Sequence, residues 1–337
     1  MRPFGAVASS PPANLPVRMN PLTKIIASIR YPESAFGKTL QRIAPILLLV
    51  LILLLGFSAF ATYRIIAPDR LEETIDPSSF LLRNYLSLSF STSDGKNLEG
   101  WFIPSVRGAP LVFLCHGYKS NRAELLTLAS TFQENGYNLF VFDFRGHGTC
   151  PLRLSSLGLR ETQDLLSAIS TFTARPDVDP DRVGVWGVSL GAYVALSATV
   201  QSDKIKAIVV DSPFQSPGGF VEIETPSILG VDSVVFNKLA HFGFFLVNLP
   251  QVQDSDRWFG SLSLLKGRDK FFITNEETPA LESQTLQVFN RCPQPKELLR
   301  LKHSKTSILY DLERKNYENT VVEFFKKRLP VRGGHSQ

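Results

Sequence analysis

Gly187-Val188-Ser189-Leu190-Gly191 sets one serine between two glycines. A serine hydroxyl attacks a carbonyl well only when a base takes its proton and N–H groups hold the charge that forms on oxygen. The chain has five histidines to supply that base: His116, His147, His241, His303 and His335. Carboxylates able to orient a histidine are more numerous. The adjacent pair Glu276-Glu277 in "FFITNEETPALES" falls just past a strand-like run, and Asp211 closes another such run, "AIVVDSP". The three cysteines, Cys115, Cys150 and Cys292, make no Cys/His spacing suited to zinc. Cys115 lies in an apolar strand and reads as core, while a Cys150–Cys292 bridge stays open.

These residues need a frame. After residue 84 short apolar runs alternate with amphipathic ones: "YLSLSFSTSDGKNLEGWFIP" as two strands around Asp94-Gly95, then "PLVFLCHG" as a strand and "AELLTLASTFQENG" as a helix. "YNLFVFDF", "RVGVWG", "IKAIVVDSP", "KFFIT" and "KELLRL" continue as strands, with helical runs between them and a last helix near Tyr310 to Arg328. This order predicts an α/β domain, a mostly parallel twisted sheet with helices on both faces. Ligands of such sheets bind beyond the carboxyl ends of the strands, so the loops there carry the chemistry. Ser189 sits in such a loop, between "RVGVWG" and "LGAYVALSATV". G-x-S-x-G in that context is the nucleophile-elbow arrangement: the turn is tight, its flanks must be small, and the hydroxyl is thrust clear of the backbone. The competing reading is a serine that merely caps the helix starting at Leu190.

Three further blocks accompany the elbow: "CHGYKSNR" at 115–122, "FDFRGHGTC" at 142–150 and "VDPDRVGVWGVSLGAYVAL" leading into and past Ser189. With them the chain resembles the α/β-hydrolase family over roughly Leu86 to Leu329, and a single apolar helix ahead of the domain is reminiscent of its membrane-anchored members that cleave lipid esters or thioesters. The resemblance implies an oxyanion hole from the backbone N–H groups of Tyr118, after His116-Gly117, and of Leu190. It makes His116 and His147 turn-shaping residues and places the base after the serine. His241 lies in an apolar stretch and His335 in a polar tail, 330–337. His303, between the last strand and the last helix, takes the family position of the base, although Lys302 and Lys305 flank it where small residues are usual.

The family order is serine, acid, histidine. Between Lys270 and His303 there is no aspartate, and the carboxylates are Glu276, Glu277, Glu282 and Glu297. Setting Thr274 at the glycine of the family's Gly-x-x-Asp pattern puts Glu277 at the acid. Glu276 and Asp211 are the alternatives. The glutamate pair also reads as charge that complements the dipole of the following helix. No metal or organic cofactor is expected.

The chain has 337 residues and a formal net charge of +5. No basic stripe with interleaved aromatics points to nucleic acid. Residues 43–66 are the apolar anchor: Ile43 to Tyr63 runs 21 residues without a charge, enough to cross a bilayer. A cleaved signal peptide, with Ala59-Phe60-Ala61 as its site, organelle targeting, or a buried core helix are the alternatives. Residues 1–42 carry Arg2, Arg18, Lys24, Arg30, Lys38 and Arg42 against Glu33 alone, so the hydrolase-like region 67–329 is expected outside the cytosol. The interval 212–269 reads as a cap whose Phe and Leu side chains favour acyl chains, or as an extra core helix.

Overall fold

The computed structural model describes residues 20, 35–70, 75–82, 84–249, 259–302 and 311–332. His303 and His335 lie outside the described residues. The chain divides into two units, Met1–Gly56 and Phe57–Gln337. In the first, helix α1 (Ala35–Ile66) begins, and its large apolar side chains from Leu40 to Leu55 are exposed.

The second unit is built on one eight-stranded sheet, β1 (Leu86–Ser91), β2 (Asn97–Ile103), β3 (Ala109–Cys115), β4 (Asn138–Phe142), β5 (Val178–Val188), β6 (Ile205–Asp211), β7 (Asp269–Asn275) and β8 (Lys296–Leu301). Their order is β1-β2-β4-β3-β5-β6-β7-β8. β2 runs antiparallel to β1 and β4; β4, β3 and β5 to β8 are parallel. Every residue of β3 and β4 is buried, as their unbroken apolar runs require of strands covered on both faces. The hairpin turns where expected, with Gly95 at φ +73°.

Two apolar layers cover the sheet. One includes Phe113, Phe140, Val185 and Val210, packed with α3 (Leu159–Phe172) and α4 (Leu190–Gln201). The other includes Leu114, Trp186 and Val209, packed with α2 (Leu126–Glu134) and α8 (Asp311–Arg328). Among the described residues, the interval after β6 includes α5 (Pro217–Leu229) and α6 (Val234–Val247); α7 (Pro279–Arg291) then follows β7. All three cysteines are free and buried, so the Cys150–Cys292 bridge is not made. Cys115 is core, as read.

The last turns of α1 belong to this unit. Ala61 and Ile65 are essentially fully buried. The Ser58 hydroxyl donates to the Leu239 carbonyl at 2.6 Å and Thr62 to that of Ala240 at 3.2 Å. A side chain on Gly243 would strike both hydroxyls, so the glycine lets α6 approach α1. The Phe57 and Phe236 rings meet at 4.7 Å. Beyond the helix Arg70 donates to the carbonyls of Cys150 and Leu152.

Candidate active site

β5 ends and α4 begins within one residue, and Ser189 makes the turn at φ 51°, ψ −110°. That backbone lies outside the regions an L-residue ordinarily occupies and costs on the order of 1–3 kcal/mol. It is held by the Ser189 amide donating to the Asp211 carbonyl at 2.8 Å and the Ser189 carbonyl accepting from the Tyr193 amide at 3.0 Å. The glycines are a steric need. A Cβ on Gly187 would stand 2.3 Å from the Gly191 oxygen, and one on Gly191 2.1 Å from the Cys115 oxygen. The Ser189 hydroxyl makes no capping bond to α4, which removes the helix-cap reading. Gly191→Ala should therefore lower the unfolding midpoint by the equivalent of about 3 kcal/mol or more. Gly260→Ala, where nothing lies within 4 Å, is the control, and thermal melts of the two variants check the difference.

β3 delivers the second loop. Cys115 pairs with Gly187 across the ladder, so His116, Gly117 and Tyr118 leave β3 beside the elbow. A Cβ on Gly117 would be 3.8 Å from the Ser189 Cβ. Leu190 is buried directly after the serine. His116 is spent on structure: Nδ1 meets the Gly117 carbonyl at 2.8 Å and Nε2 accepts the Phe144 amide at 2.9 Å. The His147 Nδ1 meets the Arg145 carbonyl at 2.8 Å, and burial pushes its pKa down to about 3. Both rings are buried, and burial lowers the pKa of His116 as well. Asp143 completes the loop by accepting from the Arg122 and Thr149 amides.

The carboxylates fall into two environments. Asp211 is fully buried. Its Oδ1 accepts from the Ser212 hydroxyl at 2.8 Å and its Oδ2 from the Tyr317 hydroxyl of α8 at 2.9 Å. Glu276 and Glu277 are exposed just past β7. The Glu277 amide donates to the Asn275 side chain at 3.0 Å, an Asx turn that starts the loop, and the Glu276 amide donates to the Leu301 carbonyl at 3.2 Å. Asn275 pairs with Leu301 at the carboxyl ends of β7 and β8. Glu282 and Glu297 are turned to Arg300 and Arg328. Among the described residues no group of three or more His, Cys, Asp or Glu could hold a metal ion.

α5 stands against this end of the sheet. Phe220 meets Tyr118 edge-on at 5.2 Å and stacks on Phe214, which stacks on Tyr193 of α4. Glu224 pairs with Lys119 at 3.6 Å. The Tyr118 hydroxyl donates to the Ile65 carbonyl at 2.7 Å, tying the loop beside Ser189 to the end of α1. Sequence reasoning missed this link. Its one visible signal is the pair of hydroxyls, Ser58 and Thr62, four residues apart on one face of an otherwise apolar helix. His241, read as packed or interfacial, is half-buried and pairs with Glu222 of α5 at 2.5 Å.

Residues 108–240 match the family model described as serine aminopeptidase, S33. The chain is 36% identical over 137 residues to uncharacterized protein YfhR of Escherichia coli O157:H7, covering 39% of this chain and 48% of that one. It is 38% identical over 127 residues to uncharacterized protein Rv2307c of Mycobacterium tuberculosis H37Rv, covering 37% and 44%. The match thus spans about half the length of these relatives. Among solved structures, the Pyrococcus furiosus esterase PF2001 superposes with a TM-score of 0.61 at 22% identity, over 79% of this chain and 99% of that one.

Proposed function

We propose that this chain, which has the α/β-hydrolase fold, is a membrane-anchored serine hydrolase that cleaves carboxylic esters or thioesters of lipid-like acyl groups. The observation that carries the proposal is Ser189 on its strained turn between Gly187 and Gly191. Ser189 Oγ attacks the acyl carbonyl and forms the C–O bond while His303 takes its proton. The backbone N–H groups of Tyr118 and Leu190 hold the oxyanion; losing one such donor typically costs about 10²–10³-fold. The alcohol or thiol leaves with the proton from His303. Water, deprotonated by the same imidazole, then attacks the acyl-serine and releases the acid. Glu277, exposed in the loop just past β7, orients and charge-stabilises His303. A second reading is favoured by one observation: Asp211 is the buried carboxylate next to the elbow, already holding two hydroxyls.

The contacts of Ser58, Ala61 and Thr62 support a retained anchor, because cleavage after Ala61 would strip Phe57, Ser58 and Ala61 from a packed interface. The basic residues before Ile43 then favour the hydrolase unit on the non-cytosolic side. The Phe220 ring of α5 against the Tyr118 loop supports the cap and an apolar acyl group.

The matched family description names an aminopeptidase, so the competing substrate is an aminoacyl amide. Side-by-side turnover of acyl p-nitrophenyl esters and aminoacyl p-nitroanilides separates the two. The esters should be hydrolysed and the anilides spared; turnover of anilides alone would replace the esterase reading with a peptidase.

A further inference from the structure

The outward face of α6 is apolar where a water-soluble domain would place charge. Val234, Val235, Phe242, Phe245, Leu246 and Val247 are each between 39% and 74% exposed. Positions 235, 242 and 246 recur at helical spacing, so they form one stripe, and 245 flanks it. The opposite face, with Ala240, Gly243 and Phe244, is buried. Contiguous exposed apolar surface of this kind marks an interaction site.

The occupant follows from the length of the anchor. From Phe57 onward α1 belongs to the hydrolase unit, so the uncharged run has only Ile43 to Gly56 outside that unit. Fourteen residues rise about 21 Å at 1.5 Å each, against a hydrocarbon layer of about 30 Å. The shortfall of about 9 Å is about six more residues, Phe57 to Thr62. These are the residues that hold α6: Phe57 against Phe236, Ser58 on the Leu239 carbonyl, Thr62 on the Ala240 carbonyl. An anchor that spans the bilayer therefore brings α6 to hydrocarbon depth. The Ser58 and Thr62 hydroxyls are satisfied by α6 carbonyls, as polar groups in lipid must be. On the exposed side Lys238 is tied to Glu222 at 2.8 Å, and its long stem suits a cation at the headgroup level.

We propose that α6 lies in the leaflet together with the turns of α1 that it packs on, Phe57 to Thr62, its stripe from Val235 to Leu246 in contact with lipid acyl chains, so that the hydrolase unit is partly embedded in the bilayer. This rests on the membrane-anchored reading above and not on the reaction. Because α6 pairs with α5, and α5 abuts the Tyr118 loop, the embedded helix stands one helix away from Ser189.

Nitroxide labels on introduced cysteines test it in the full chain reconstituted into phosphatidylcholine vesicles; the native cysteines are buried. Labels replace Phe242, Leu246 or Val235, with Leu49 as the anchor reference and exposed Ser170 of α3 as the aqueous one. The inference predicts that labels at 235, 242 and 246 collide more with molecular oxygen than with a water-soluble nickel chelate, as at position 49, and that position 170 shows the reverse. Position 49 in lipid with 235, 242 and 246 in water would overturn the inference and leave the anchor standing. Position 49 in water would overturn both. Spin–spin broadening between labels at 242, without lipid exposure, would overturn it in favour of a second copy of the chain on that face.

Discussion

Ser189→Ala should abolish ester turnover, lowering kcat by about 10⁶-fold while the fold is unchanged. Removing the nucleophile of a triad that acts as a unit costs about that much, and the residual rate comes from the oxyanion hole and binding. The backbone of the elbow is set by Gly187, Gly191 and the bond from the Ser189 amide to the Asp211 carbonyl, none of which involves the hydroxyl. The hydroxyl makes no bond to α4. Losing it therefore removes chemistry and adds no cavity larger than one oxygen. Alanine is also no worse than serine at the positive φ. The thermal midpoint should stay within a few degrees of wild type, and pre-steady-state mixing should show no burst of alcohol. A variant that retained turnover would move the nucleophile elsewhere.

The second large effect separates the two candidate acids. Glu277→Gln should lower kcat by about 10³–10⁴-fold with a smaller change in KM, the signature of an imidazole that has lost its charge partner and its tautomer. Asp211→Asn should act mainly on stability. Its carboxylate accepts from the Tyr317 and Ser212 hydroxyls in a fully buried setting, and an amide there must turn an N–H towards one of those oxygens. Truncating or mismatching a buried hydrogen-bonded group costs about 1–3 kcal/mol. Turnover measured well below the melting transition should then stay within about tenfold of wild type. The reverse ranking, with Asp211→Asn dead and Glu277→Gln active, would move the acid to β6. Thermal melts on both variants distinguish a lost acid from a lost fold. Glu276→Gln serves as the neighbouring control, since the Glu276 carboxylate faces Arg300 at 3.5 Å.

Most of the sheet was legible because its signals are local. Apolar runs of strand length, glycine stops at Gly95 and Gly136, and the short turn at Ser189 each depend on a few adjacent residues. The His116 and His147 loops were legible for the same reason. What escaped depends on partners distant in sequence. Asp211 could not be weighed from "AIVVDSP" alone, because the residue that holds its Oδ2, Tyr317, is 106 positions away. The anchor read as one uniform span from 43 to 66, yet its last ten residues belong to the hydrolase unit and bury one face in it, Ser58, Ala61, Thr62, Ile65 and Ile66. Hydrophobicity does not distinguish a side chain that faces lipid from one that faces α6. Only Ser58 and Thr62 mark the change, and their acceptors are 181 and 178 residues away. The Cys150–Cys292 bridge was left open on the same ground, because the spacing of two cysteines in sequence carries no distance between them; both thiols are free. His303, the base by family position, falls outside the described residues, so its partner is left to the variants above.

The central claim is that Ser189 is an activated nucleophile. A fluorophosphonate reacts with such a serine and not with an ordinary hydroxyl, because the reaction needs the base and the oxyanion donors in place. Peptide mass spectrometry of the full chain after labelling in vesicles should find one phosphonyl adduct, on the peptide that contains Ser189. It should be absent from Ser189→Ala and strongly slowed in His303→Ala. An unlabelled wild-type chain that is folded, or an adduct that persists in Ser189→Ala, would contradict the account.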